Sequence, residues 1–353
     1  MKIFNNVSLK AYMKQISLYI VMIITLTLFP SCSQDTKDNN GQSSEKKSLI
    51  ATKAVPIKKN IVYIVSDTKI PFWTIMQRGV SKAANSLGYK LNTYNSNNNA
   101  KRELELMRRA IKNSVSGIIV SPTSSSACAT LLKLAEDANI PVVISDIGTD
   151  GGEYVSFISS NNKSGGYAIG EVLVNKMQSL GMKDAKIGIV AIPQSRLNGQ
   201  ARTDGFIKAI NKAGVKTVEI REQVTFSKEE TYTLCKEMIQ THPNLHAIWL
   251  QGSDKYKAAL RAIDDTHKTG DVLLVTFDAE PEFIDLISKG SIAGSAMQQP
   301  YLMGKGAVHA MDRHLNGKKV EKELQLPVLI VTQKNVDEKL RMIRINVLGI
   351  EES

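Results

Sequence analysis

Twice along this chain, short β-branched runs alternate with amphipathic helical stretches, a pattern that neither an all-helical nor an all-strand fold accommodates. The first series predicts strands at Ile61–Val65, Leu91–Tyr94, Gly117–Val120, Pro141–Ser145 and Tyr154–Ile158. Between them the spacing predicts helices at Phe72–Leu87, stopped by Gly88, at Glu103–Ile111 and at Ser125–Ala138. The last of these sets Ala127, Leu131, Leu134, Ala135 and Ala138 on one face. The second series starts with a helix striped by Ile169, Val172, Leu173 and Leu180. Strands at Lys186–Ala191, Val218–Val224, Ala247–Leu250 and Val272–Phe277 follow, with helices at Gly199–Ala213, Lys228–Gln240 and Lys255–Ile263 between them. Short apolar strands separated by helices belong to parallel sheets covered on both faces. Two series therefore predict an α/β chain of two doubly wound parallel-sheet (Rossmann-like) domains, and 42% hydrophobic residues in 353 suffice for two cores.

Doubly wound sheets bind ligands beyond the carboxyl ends of their strands. The residues at those ends are Asp67 to Trp73, Ser121 to Thr123, Asp146, Gln194 to Arg202, Phe226, Gln251 to Asp254, Asp278 and Gln298. Carboxylates and an arginine form paired hydrogen bonds with hydroxyls, and rings offer flat apolar faces. A small polyhydroxylated molecule presents the matching surface. Each residue also has a plainer role open to it. Trp73 could be ordinary core, Asp146 and Asp278 could cap helices, and Arg202 could be a surface helix residue.

From about Ile61 to Thr332 the chain resembles the ribose-binding-protein family, the type I periplasmic binding proteins of sugar ABC importers. The likeness rests on Ile70-Pro71-Phe72-Trp73, Ser121-Pro122-Thr123, Ile140-Pro141-Val142 with Asp146, Ala201-Arg202-Thr203-Asp204-Gly205-Phe206, Thr241-His242-Pro243, Phe277-Asp278 and Gln298-Gln299-Pro300, in that order. The resemblance implies stacking aromatics at Phe72 and Trp73 and a lining phenyl at Phe226. It implies hydroxyl-binding carboxylates at Asp146 and Asp278, an arginine at Arg202 and a glutamine at Gln298. It further implies a three-strand hinge with crossings near Ser159-Ser160, Ser295 to Gln298 and Leu326-Pro327. On that basis the N-terminal lobe is 59–160 plus 298–326, and the C-terminal lobe is 161–297 plus 327–353. Four positions depart from the family pattern: Ile70, Ser121 and Gly252 replace asparagines, and Ile147 replaces an arginine. Fewer donors point away from ribose and towards a deoxy or otherwise less hydroxylated ligand.

The first 32 residues read as a secretory signal. Ile16 to Phe29 carries no charge, is preceded by Lys10 and Lys14, and is too short for a membrane span of about 20 residues. It ends Pro30-Ser31-Cys32, which resembles a bacterial lipoprotein signal and makes Cys32 the expected lipidated residue and membrane contact. Residues 33–58 have linker composition and would reach roughly 28 Å as a random coil. The expected location is the periplasm or cell surface. The net charge of +11 suggests nucleic acid at first sight, but the lysines are spread evenly and no basic block occurs, so no nucleic-acid partner is expected.

No Gly-x-Ser-x-Gly elbow, phosphate loop or dinucleotide fingerprint is present, so an enzyme is not expected. The histidines lack metal spacing (His309 and His314 diverge on a helix), so neither metal nor cofactor is expected. Cys128 and Cys235 read as buried inert thiols. The expected function is capture of a small sugar by a monomer, with hinge closure presenting it to a membrane permease. The alternative is a sensor subunit for a sugar or furanone-type signal that engages a chemoreceptor or histidine kinase. Val336, Leu340, Ile343 and Val347 predict a short amphipathic helix in the tail.

Overall fold

The computed structural model describes residues 59–350 except Lys183; the signal, Cys32, the linker and the last three residues lie outside the described residues. The first lobe is a sheet of β1 (Asn60–Val65), β2 (Lys90–Asn95), β3 (Gly117–Val120), β4 (Val142–Ser145), β5 (Ser156–Ser160) and β11 (Glu323–Leu326). Its order is β11-β5-β4-β3-β1-β2 and every pairing is parallel. The second contains β6 (Lys186–Ala191), β7 (Lys216–Glu222), β8 (Ala247–Leu250), β9 (Leu273–Phe277), β10 (Gly294–Met297) and β12 (Leu329–Val331), ordered β12-β10-β9-β8-β6-β7. The two orders correspond strand for strand, except that β12 runs antiparallel to β10.

The helices are α1 (Pro71–Ser86), α2 (Ala100–Lys112), α3 (Ser125–Asp137), α4 (Asn162–Ser179), α5 (Leu197–Lys212), α6 (Lys228–Thr241), α7 (Tyr256–Asp265), α8 (Phe283–Ser288), α9 (Pro300–Leu315) and α10 (Val336–Met342). Several start where the sequence supplies a cap. The side chains of Asn99, Ser124, Asn161 and Ser227 each accept from a backbone N–H in the first turn, and Pro71 and Pro300 occupy first positions where no N–H is needed. The strands β3, β4 and β8, apolar but for Ser145, are buried along their whole length, as strands covered on both faces must be.

In each lobe the helix entering from the hinge crosses the first helix of that lobe backbone to backbone. On α1, a Cβ at Gly79 would fall 2.1 Å from the Tyr301 carbonyl oxygen of α9, and one at Gly304 would fall 2.3 Å from that of Met76. On α5, a Cβ at Gly205 would fall 2.0 Å from the Lys163 carbonyl oxygen of α4, and one at Gly166 would fall 2.2 Å from that of Arg202. These contacts fix α1 and α5, which carry Phe72, Trp73 and Arg202, against the hinge helices α9 and α4.

The tail does more than extend the second lobe. The predicted helix is α10, followed by a π-helical turn at Ile343–Val347. Val336, Ile343, Val347 and Leu348 are all buried. The Leu348 carbonyl accepts from Arg78 of α1 at 2.6 Å, and Gly349 at φ +58° lies against the Tyr301 ring of α9. The segment that leaves the second lobe at β12 thus ends on the first.

Candidate functional site

The carboxyl ends of both sheets meet across a cleft lined by Phe72, Trp73, Asp146, Arg202, Phe226, Gly252, Asp278 and Gln298, together with Ile70, Ile147, Ile192, Arg196, Asn198 and Asp254. Its walls stand close, enclosing a void of about 60 Å³. A larger groove of about 570 Å³ lies at the opposite end of the second sheet between α7 and α8, but none of its lining residues carries an unpartnered buried polar atom.

Asp146 follows β4 and Asp278 follows β9, the corresponding strands of the two lobes. Both adopt the left-handed region, at φ 68° and 72°, and each backbone N–H is held by the neighbouring strand: Asp146 by the Ile158 carbonyl and Asp278 by the Ala296 carbonyl, both at 2.9 Å. Neither caps a helix. Positive φ on a non-glycine residue costs about 1 kcal/mol or more and persists where the surroundings enforce it, here turning both carboxylates into the cleft. Phe226 adopts φ 54° at a third corner.

Arg202 is a buried residue, 3% exposed. Its Nε donates to Asn162 Oδ1 at 2.8 Å and its Nη1 to the Gln251 carbonyl at 2.9 Å; Nη1 stands 3.9 Å from Asp278 Oδ2, and the guanidinium covers the Phe277 ring at 4.0 Å. Gln298 donates from Nε2 to Asp278 Oδ1 at 2.5 Å. Trp73 is buried in the first-lobe core, meets Phe72 edge to face at 4.9 Å, and still reaches the cleft wall. Two buried acceptors on this wall have no partner: Asp146 Oδ1 and Gln298 Oε1.

Ser121 does not line the cleft. Its hydroxyl is fully buried and committed to Tyr63 at 2.9 Å and Ser145 at 2.8 Å, so it supports the cleft floor from below. Gly252 lines the wall without a side chain, and the neighbouring Ser253 turns its hydroxyl to Glu280 at 2.8 Å. Sequence reasoning named the stretch Gln194 to Arg202 but singled out Arg202 alone, missing Arg196 and Asn198. The signal available was the end of β6 at Ala191, which sends the next residues towards the cleft. Asp254, named at the end of the stretch Gln251 to Asp254 without a role of its own, is paired with Lys255. Among the described residues no group of His, Cys, Asp and Glu could hold a metal, and no helix is long and apolar enough to cross a membrane.

Burial pushes Asp146, Glu103 and Glu280 up to about 7. For Asp146 the two cleft arginines, Arg202 and Arg196, partly oppose the shift; for Glu103 hydrogen bonds from Thr123 do. A carboxylate raised in the folded state binds a proton there that the unfolded chain releases, so its stabilising contribution is complete below about 4.5 and is lost as pH rises through 7. Glu230 and Glu282 are lowered, and their contribution is lost only on acidification below 4.5. The chain is therefore expected to melt several degrees higher at pH 5 than at pH 8. Glu103→Gln keeps the buried hydrogen bonds without the charge and should flatten that slope, which melting curves across this range would read directly.

A family model described as a periplasmic binding protein domain matches residues 61–319. The chain is 29% identical over 278 residues to the ribose import binding protein of Escherichia coli K12, covering 78% of this chain and 92% of that one. It is 27% identical over 321 residues to the ribose import binding protein of Bacillus subtilis, covering 89% and 98%. Its fold matches a carbohydrate transporter solute binding protein from Agrobacterium radiobacter in complex with D-arabinose, at TM-score 0.76 and 21% identity over 83% of this chain and all of that one. It likewise matches a Caulobacter myo-inositol binding protein bound to myo-inositol, at TM-score 0.74 and 22% identity over 81% and 97%. With two parallel-sheet lobes, a cleft at their facing strand ends and a matching family model over most of its length, the chain belongs to the periplasmic binding protein domain family, a family of binding proteins and not of enzymes.

Proposed function

We propose that the chain is an extracytoplasmic solute-binding protein that captures a small sugar between its lobes and delivers it, by hinge closure, to an ABC-type importer. The observation that carries this reading is the pair of buried, unpartnered acceptors, Asp146 Oδ1 and Gln298 Oε1, in a cleft flanked by Phe72, Trp73 and Phe226. An unpaired buried acceptor costs about 1–3 kcal/mol, which a ligand hydroxyl removes by donating to it. The rings accept the C–H face of the same molecule. Asp146, Arg202, Asp278, Gln298 and the three aromatics form the binding set, with Gly252 giving the ligand room.

The replacements at Ile70, Ile147 and Gly252 leave apolar or empty wall where a fully hydroxylated pentose needs donors, so the preferred ligand carries fewer hydroxyls than ribose. The lobes are 59–160 with 298–326, and 161–297 with 327–353, with Leu348 and Gly349 of the tail also resting on the first lobe. The protein acts as a monomer, tethered to the membrane by lipid on Cys32. A permease is favoured over a chemoreceptor or kinase as the partner because the relatives are import proteins.

A thermal-shift screen of pentoses, hexoses, deoxy sugars, polyols and furanones tests this. A ligand at 100 times its dissociation constant stabilises by about 2.7 kcal/mol, a shift of several degrees. A sugar or deoxy-sugar shift that disappears in Asp278→Ala is the expected result. No shift from any sugar, or one unchanged in Asp278→Ala, would overturn it.

A further inference from the structure

One loop of the second lobe reaches across the cleft and bonds directly to the rim of the first. It follows β6 and runs into α5. Arg196 donates from Nε to the Thr123 carbonyl at 3.1 Å and from Nη2 to Asn98 Oδ1 at 2.9 Å, and its guanidinium stands 5.5 Å from the centre of the Phe226 ring. The backbone N–H of Leu197 donates to Ser125 Oγ at 3.3 Å, and Asn198 Nδ2 lies 3.4 Å from Asp146 Oδ2. Every acceptor in this set belongs to the first lobe and every donor to the second.

The first-lobe side of the contact is held firmly. Glu103, fully buried on α2, accepts from the Thr123 backbone N–H at 2.9 Å and from its hydroxyl at 3.0 Å. That bidentate grip fixes the Thr123 peptide with its carbonyl towards Arg196. Ile147, beside Asp146 on the same rim, supplies no cation, so the positive charges nearest Asp146 are Arg196 and Arg202, both from the opposite lobe.

We propose that Arg196 is a closure latch: a positioning residue that clamps the two lobes together over the cleft and holds part of the closed population even before ligand arrives. This rests on the hinge-closure reading above. A latch of two charge-assisted hydrogen bonds lowers the free energy of the closed state relative to the open one. Ligand then has less of the closing to drive, and the protein binds at a smaller change of shape.

Small-angle scattering on the full chain without any sugar, with parallel melting curves, tests the latch. For a compact body of this size the radius of gyration is about 20 Å. Arg196→Ala should raise it by roughly 1 Å while the melting temperature stays within about two degrees. Asn98 sits at φ 54°, so Asn98→Gly removes one acceptor without adding backbone strain and should give a smaller rise in the same direction. Arg196→Lys, which cannot reach both acceptors with one planar group, should fall between wild type and Arg196→Ala. An unchanged radius in both Arg196→Ala and Asn98→Gly overturns the latch. Because no sugar is present, the latch can fail while the sugar reading stands, and a silent sugar screen leaves the scattering result intact.

Discussion

Gly205→Val is expected to prevent stable folding of the second lobe, seen as loss of soluble protein or as a fall of more than 10 °C in its melting transition. On helix propensity alone, replacing a mid-helix glycine should help by a few tenths to about 1 kcal/mol. Packing reverses the sign. A Cβ at position 205 would sit 2.0 Å from the Lys163 carbonyl oxygen and 2.8 Å from the Tyr167 N, both backbone atoms of α4 that no rotamer change can move aside. Separating α4 from α5 by the width of a methyl would pull Phe206 out of its stack with Trp249, where the ring centroids lie 4.0 Å apart, and would open the core beneath. Overpacking of this kind costs about 1–3 kcal/mol where side chains can yield, and more where backbone must. Gly79→Val should act in the same way on the first lobe through the Tyr301 carbonyl. Gly151, whose Cβ would meet nothing within 4 Å, is the control: Gly151→Ala should melt within about two degrees of wild type. A Gly205→Val protein that melts like wild type would show that the two helices are free to slide, and would remove the basis for treating α5 as a rigid mount for Arg202.

The double alternation of strand and helix was legible because buried parallel strands demand unbroken apolar runs and surface helices demand a 3.6-residue stripe. Neither demand depends on what the rest of the chain does. Boundaries moved where a local rule competed with packing. Val224, expected at the end of a strand, lies outside β7 and is 79% exposed, because β7 runs along the sheet edge and starts two residues earlier, at Lys216. The elements after Asp278 carry strands of only three or four residues, such as Gly294–Met297, and were legible only as hinge crossings. At the site, residue type and place were readable for Asp146, Asp278 and Arg202, but the left-handed backbone of both aspartates was not. It comes from the carbonyls of Ile158 and Ala296 on the next strands along the chain, β5 and β10, whose register against β4 and β9 only the folded sheet sets. Ser121 misled for a similar reason. A serine after a strand could face the cleft or the core, and Tyr63, far away in sequence, decides it. Arg196 was overlooked because its meaning lies in the opposite lobe, in a carbonyl fixed by Glu103.

Arg202→Met should cost about 3–5 kcal/mol of stability, the penalty usual for removing one member of a buried charged set, and should eliminate any sugar-induced thermal shift. Methionine fills most of the arginine stem's volume and can still cover Phe277, so the loss is electrostatic and not a cavity. Without the guanidinium, Asn162 Oδ1 and the Gln251 carbonyl lose a donor, and Asp278 keeps only Gln298 beside a burial that already raises its affinity for protons. Its affinity for protons then rises further, and a protonated carboxyl no longer accepts two hydroxyl hydrogen bonds. Two further variants separate the steps. Asp278→Asn removes the charge while keeping the shape, so the double variant Arg202→Met with Asp278→Asn should be more stable than the sum of the single losses predicts, by about 1–3 kcal/mol of coupling. Sugar binding should be absent from all three. Urea denaturation of the four proteins gives the coupling, and calorimetry with the sugar found in the screen gives the binding. Strict additivity would mean that the 3.9 Å pair does not interact, and that Arg202 holds the lobe through Asn162 and Gln251 alone. The predicted coupling would instead place the charge that orders the second lobe and the charge that keeps Asp278 ready for a hydroxyl on the same atom group, so that folding of the lobe and competence of the cleft rise and fall together.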